Sequence, residues 1–281
     1  MIPRFAQLPQ SLAALTRYER LDGDIPALMA HPDWGPGGAV KPRATLIWLH
    51  GRTVTKELDT GRYLRLLRAE PEAMAVVAID LPGHGERLDP EFHTPARTLD
   101  LIEQGVRDVD RVVAALGEQR FAGAFDRERL ALGGMSAGGM ITLRRLCDEH
   151  PFRCAHVEST SGHLARLYGL DPAFGGDGRT WPVRHDPARV ATLDPMNHVS
   201  GWRDIPLLAM HSRADAIVPV ECIEGFIDVL RQRALDRGMA RDLVTLRTWE
   251  RTGAPQEHSG FGQVASEARA EFVAFLQRWL V

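Results

Sequence analysis

The stretch that most constrains what this chain can fold into is Leu130-Ala-Leu-Gly-Gly-Met-Ser-Ala-Gly-Gly-Met140. A short apolar run there ends in Gly134-Met135-Ser136-Ala137-Gly138 and then takes on helical spacing. Glycines two residues either side of a serine suit a sharp strand-to-helix turn, where a Cβ has no room and the serine is held in a strained conformation. Such a turn lifts the Ser136 hydroxyl above the end of a sheet. A helix starting at Ala137 would aim its free N–H groups and positive dipole end at an oxyanion forming on whatever Ser136 attacks. The pattern predicts a nucleophile elbow if a strand precedes it, a helix follows it, and an acid and a histidine come later in that order.

The rest of the chain supplies that context. Thr16 to Leu21 and Ile25 to His31 read as two antiparallel edge strands around the turn Asp22-Gly23-Asp24. Ala44 to Leu49 and Ala75 to Ile79 are continuous apolar runs of the kind a strand buried on both faces requires. Between them Leu58 to Arg68 has helical spacing. From Thr98 to Leu116, Leu101, Ile102, Val106, Val109, Val112, Val113 and Leu116 form a helical stripe, and Arg129 to Gly133 is the strand leading into the elbow. The helix from Ala137 is expected to stop at His150-Pro151, with a strand at Cys154 to Glu158.

Regularity then lapses between about residues 162 and 202, where glycine and proline separate short apolar pieces. This segment reads as a cap insertion with short helices and not as a second domain. Leu164, Leu167, Tyr168, Phe174 and Trp181 in it could line an acyl pocket, or simply bury the apolar surface that docks the cap. Ile205 to Met210, Val220 to Gln232 and Leu243 to Trp249 read as strand, helix and strand. Phe272, Phe275, Leu276, Trp279 and Leu280 form one face of a last helix. Alternating strands and helices predict one α/β domain over residues 1–281, a mostly parallel sheet with helices on both faces.

Two loops at the C-terminal strand edge complete the chemistry. The strand at Ile205 leads into His211-Ser-Arg-Ala-Asp215, and the strand at Leu243 into a loop that holds His258. A serine hydroxyl is a poor nucleophile near neutral pH, so it needs an imidazole to take its proton and a carboxylate to hold that imidazole in the right tautomer. Ser136, Asp215 and His258 are therefore the candidate catalytic residues, in the chain order the elbow requires. His50 and His84 also sit at strand ends but precede Ser136 between glycines and turns, which suits a role in shaping their loops. For the oxyanion, the Ala137 N–H is one expected donor and the Arg52 N–H the other, with Thr53 competing for the second place.

These pieces add up to a resemblance. Trp48-Leu-His-Gly51, Ile79-Asp-Leu-Pro-Gly-His-Gly-Glu-Arg87, Gly134 to Gly138, His211 to Pro219 and Glu257-His258 resemble the α/β-hydrolase superfamily, and within it the prolyl-oligopeptidase-related and dienelactone-hydrolase-like small serine esterases. The resemblance implies an α/β-hydrolase fold with a short cap and hydrolysis of a carboxylic ester of small to medium acyl length, with thioesters, peptides or a non-catalytic ligand-binding homologue as alternatives. Ser136 stands where dienelactone hydrolases carry cysteine and where dehalogenases and epoxide hydrolases carry aspartate. Arg52 departs from the aromatic or glycine that many relatives have after the His-Gly pair. It would either recognise a carboxylate or phosphate on the substrate or pair with a nearby acid such as Glu57 or Glu86.

Composition narrows the partners. A formal net charge of −3 with no long Lys or Arg run implies neither a nucleic-acid groove nor an acidic-membrane patch. The expected partner is a small-molecule ester, and a homodimer is compatible with the sequence. Three cysteines without C-x-x-C or zinc spacing suit reduced, buried thiols. With no signal peptide and no 18-residue apolar run, the expected location is cytoplasmic. Gly260-Phe-Gly262-Gln-Val-Ala265 fits a dinucleotide pattern but follows a polar loop instead of a strand. There is no Walker A loop or H-E-x-x-H, so the expected chemistry uses no cofactor and no metal.

Overall fold

The structure, a computed structural model, describes residues 13–35, 39–58, 74–121, 123–171 and 183–281. Among them one sheet is built from β1 (Thr16–Leu21), β2 (Ile25–Ala30), β3 (Arg43–Leu49), β4 (Ala75–Ile79), β5 (Phe125–Met135), β6 (Phe152–Glu158), β7 (Leu207–Ser212) and β8 (Val244–Trp249). Its order is β1-β2-β4-β3-β5-β6-β7-β8. The β1–β2 and β2–β4 pairs are antiparallel and the others parallel. From β3 the chain passes to β4 on one side and then to β5 on the other. That reversal makes the carboxyl ends of β3 and β5 the place where such folds open a ligand crevice.

Helices among the described residues include α1 (Thr98–Ala115), α2 (Ala137–Arg145), α3 (Leu164–Leu167), α4 (Pro187–Leu193), α5 (Glu221–Asp236) and α6 (Ala265–Trp279). Strand side chains alternate between two apolar layers, as the two-residue period of a strand demands. Ile47 and Leu49 pack with Leu101, Ile102, Val109 and Val112 of α1 and Phe226 of α5, while Leu46 and Trp48 pack with Phe272 and Leu276 of α6. Helices thus cover both faces, as the strand–helix alternation predicts. At Gly105 of α1 a Cβ would lie 2.4 Å from Ile141 Cδ1, so α2 packs onto α1 where α1 has no side chain.

Several element bounds differ from those read in the sequence, each for a physical reason. Of the first two strands only β1 lies at an edge of the sheet. β2 is hydrogen-bonded on both sides and its six residues are all buried, which its unbroken apolar sequence requires. β5 starts at Phe125, four residues before Arg129. The charged run Asp126 to Arg129 hides a strand whose register against β3 shifts between Arg43 and Thr45. α2 ends at Arg145 and does not continue to His150. The Cys147 and Asp148 amides bond back to Arg144 and Arg145, a tightening that closes the helix before the chain turns into β6. The helix expected over Leu58 to Arg68 lies, apart from Leu58, outside the described residues.

In the segment read as a cap, α3, α4 and a 3-10 stretch at Pro195–Gly201 are short helices. Leu164 and Leu167 are buried in the main apolar layer, as docking of the segment requires; Phe174 and Trp181 fall outside the described residues. No helix among the described residues is long and apolar enough to cross a membrane. Gly225, inside α5, offers a clean test of the packing. A Cβ there would meet only Arg166 Nη1, at 3.9 Å. Gly225→Ala should therefore stabilise the fold by up to about 1 kcal/mol through helix propensity, seen as a higher urea midpoint at unchanged slope.

Candidate active site

β5 delivers Met135 directly to Ser136, which sits at φ 52°, ψ −116°, and α2 starts at the next residue. This strained backbone is held from both sides. The Ser136 N–H donates to Glu158 O at 2.9 Å, and Thr160 Oγ1 donates to Ser136 O at 2.7 Å. The glycines are required for space: a Cβ on Gly134 would lie 2.4 Å from Gly138 C, and one on Gly138 would lie 2.2 Å from Leu49 O.

The structure brings Ser136, Asp215 and His258 together from three separate strand ends. Ser136 Oγ is 3.0 Å from His258 Nε2, and His258 Nδ1 is 2.8 Å from Asp215 Oδ2. A carboxylate only accepts, so Nδ1 carries the hydrogen and Nε2 is left to accept from the serine. Asp215 is buried, and its other oxygen accepts from the Ile217 and Val218 amides, both at 2.8 Å. Burial works to raise its pKa, but hydrogen bonds from His211 and His258 outweigh that and hold it at about 2. It is ionised across the working range. This chain can take the proton from Ser136 as its oxygen attacks a carbonyl.

Neighbouring residues fix the two loops, and these are the ones sequence reasoning missed. His211 Nε2 lies 2.9 Å from Val218 O and 3.2 Å from Asp215 Oδ2, so a second histidine braces the acid. The i,i+4 spacing of His211 and Asp215 is visible in the chain, but only the bend after β7 brings Asp215 back to His211. Glu257 accepts from the Thr252 amide, Thr252 Oγ1, Ser212 Oγ and the Gly253 amide. Chiefly the Thr252 amide holds its pKa down at about 2. Those bonds anchor Gln256 and Glu257 at φ 56° and 55°, the bend that presents His258.

The loop after β3, where the second oxyanion donor is expected, lies beside the elbow. Gly51 faces the elbow, where its Cβ position would be 3.5 Å from Ser136 Cβ. His50 and His84 shape this loop, as their positions suggest: His50 Nε2 accepts from the Leu81 amide at 3.0 Å, and His84 Nε2 from the Thr53 amide at 3.1 Å. The Thr53 amide is thereby engaged. The Arg52 and Ala137 amides make no hydrogen bond among the described residues, which leaves both available to an oxyanion. The Arg52 side chain does not pair with Glu57 or Glu86. It donates from Nη1 to Thr98 Oγ1 at 2.7 Å, while both acids close on the buried Lys56, at 3.0 and 2.8 Å. Lys56 also reaches Asp80 at 2.7 Å, tying the loops after β3 and β4 together. Among the described residues no group of three or more His, Cys, Asp or Glu side chains could hold a metal ion.

Two measurements test this account. Gly138→Ala should lower the unfolding free energy by about 1–3 kcal/mol or more, because backbone carbonyls and not flexible side chains meet the added methyl. Burial pushes His84 and His150 down to about 4, so both stay neutral in the fold where an unfolded histidine, at about 6.5, already binds a proton. Their share of stability is whole above about pH 6.5 and is lost as pH falls toward about 4. Urea midpoints should drop across that window, and the drop should be shallower in His150→Gln.

Comparison with known proteins agrees with the geometry. The prolyl oligopeptidase family model matches residues 68–280. Esterase YjfP of Escherichia coli (strain K12) is 27% identical over 205 residues, covering 70% of this chain and 78% of that protein. Among solved structures, TT1662 from Thermus thermophilus aligns with a TM-score of 0.64 at 24% identity, over 94% of this chain and 98% of that one. The Pyrococcus furiosus esterase Pf2001 aligns with a TM-score of 0.62 at 18% identity, over 98% and 97%. The chain belongs to the prolyl oligopeptidase family and is a serine hydrolase on an α/β-hydrolase fold.

Proposed function

We propose that this serine hydrolase cleaves carboxylic esters of small to medium acyl length through an acyl-enzyme. Ser136 Oγ attacks the ester carbonyl and passes its proton to His258 Nε2. Asp215 orients the imidazole and steadies its positive form. The Ala137 and Arg52 N–H groups donate to the tetrahedral oxyanion, a contribution of about 10²–10³ in turnover per donor in sites of this kind. Collapse expels the alcohol, which leaves with the proton from His258. Water then gives a proton to His258 Nε2 and attacks the acyl-enzyme; the acid departs and Ser136 recovers its hydrogen.

The observation that carries this reading is the continuous contact from Ser136 Oγ through His258 to Asp215, at 3.0 and 2.8 Å. That YjfP and Pf2001 are both named as esterases supports the ester over other acyl donors. Three buried cysteines, none of them in a disulfide, support the cytoplasmic setting.

Hydrolysis of p-nitrophenyl esters from acetate to decanoate, with Ser136→Ala alongside, tests the reading. Wild type should favour the shorter half of the series, and the variant should lose about 10⁶ of turnover and fall to background. Activity retained in Ser136→Ala would overturn the assignment of the nucleophile. Faster cleavage of a matched p-nitroanilide or thioester would move the substrate class to peptides or thioesters.

A further inference from the structure

The loop after β3 carries a cation that the steps above leave unused, the Arg52 guanidinium. It is half-buried, and its Nη1 donates to the Thr98 hydroxyl, which Tyr168 also hydrogen-bonds. Among the described residues it has no carboxylate partner. Nearby arginines differ. Arg97 pairs with Asp100 and Glu91, and Arg189 with Asp100 and Glu103. Those acids raise the pKa of both, whereas burial lowers that of Arg52. A partly desolvated cation that donates only to a neutral hydroxyl is costly, and an arriving anion offsets that cost.

The backbone position makes this relevant to the substrate. The amide of the same residue is free beside Ser136, so a carbonyl held there lies one arginine side chain away from the guanidinium. The surroundings fit one negative charge. Tyr168 is neutral and hydrogen-bonds Thr98, whose own hydroxyl donates to Pro95 O, burial keeps His185 beside Tyr168 below its ordinary pKa, and the Asp194 charge near Tyr168 opposes a dianion. A phosphate dianion would call for a second cation. A carboxylate matches the single planar fork.

We infer that Arg52 is a specificity-determining residue that binds a carboxylate carried by the substrate a few bonds from the scissile carbonyl. The substrate class is then half-esters of dicarboxylic acids and O-acyl hydroxy acids. This rests on the hydrolytic reading above, and it names the ester that the site prefers.

The test compares kcat/KM for monoethyl and diethyl esters of succinate, glutarate and adipate, and for O-acetyl hydroxy acids and their methyl esters, by pH-stat. The readout is the charged-to-neutral ratio, because any displacement of the Arg52 amide lowers both members alike. Wild type should favour the charged member in at least one series. Arg52→Ala should cut that ratio by roughly 10- to 100-fold, mostly through KM, and Arg52→Lys should restore part of it. A parallel arm measures calorimetric binding of monoethyl and diethyl glutarate to Ser136→Ala, with and without Arg52→Ala. Turnover that depends on Ser136 with a ratio unmoved by Arg52→Ala overturns the inference and leaves the hydrolase reading standing. Arg52-dependent binding of the monoester without turnover of any ester supports the recognition and overturns the esterase reading instead.

Discussion

The site depends on how closely the start of α2 approaches the end of β3. Gly138 packs against the Leu49 and His50 carbonyls at distances that admit no Cβ, and Gly134 packs in the same way on Gly138 itself. That contact lets β5 turn straight into a helix and puts the α2 amides beside the β3 loop. Ser136 occupies a backbone conformation that costs about 1–3 kcal/mol in other proteins. Here its N–H and C=O are both engaged, by Glu158 and Thr160, so the strain is held by the end of β6 and the turn that follows it. The proposed nucleophile is thereby fixed before any substrate arrives.

Around that fixed serine, charge is arranged in two separate groups. Asp215 is buried yet ionised because two histidines and two amides donate to it, and this steadies the positive imidazole that proton transfer would create. Lys56 draws Asp80, Glu57 and Glu86 together below the β3 and β4 loops. By taking both nearby acids, that cluster leaves the Arg52 guanidinium facing a threonine and a tyrosine. The hydrolytic step and the proposed carboxylate recognition therefore meet at one residue, through its amide and its side chain.

How much was legible in the chain varies with the kind of signal. Elements with strong local signals were read nearly to the residue. Ala75–Ile79 is a continuous apolar run, the α1 stripe repeats at helical spacing, and the turn at Asp22-Gly23 has the residues its positive φ angles need. Ser136, Asp215 and His258 were legible as a set because chain order and strand ends are sequence properties. What was misread depended on partners distant in the chain. β2 is interior because β4, almost fifty residues on, pairs with its free side, and charged Asp126 to Arg129 lie within a strand because Phe125 and Leu130 on either side of them pair with β3.

Local chemistry alone therefore determined that there would be an elbow, a mostly parallel sheet and an acid and a histidine at its edge. These follow from where glycine, apolar runs and turns fall along the chain, which involves only neighbours in sequence. Tertiary structure alone decided that His211 braces Asp215, that Glu257 clamps the His258 bend, that the Thr53 amide is engaged by His84, and that Lys56 and not Arg52 holds Glu57 and Glu86. Each of these last is a contest between several donors for a few acceptors, and only distances in the folded chain rank the competitors.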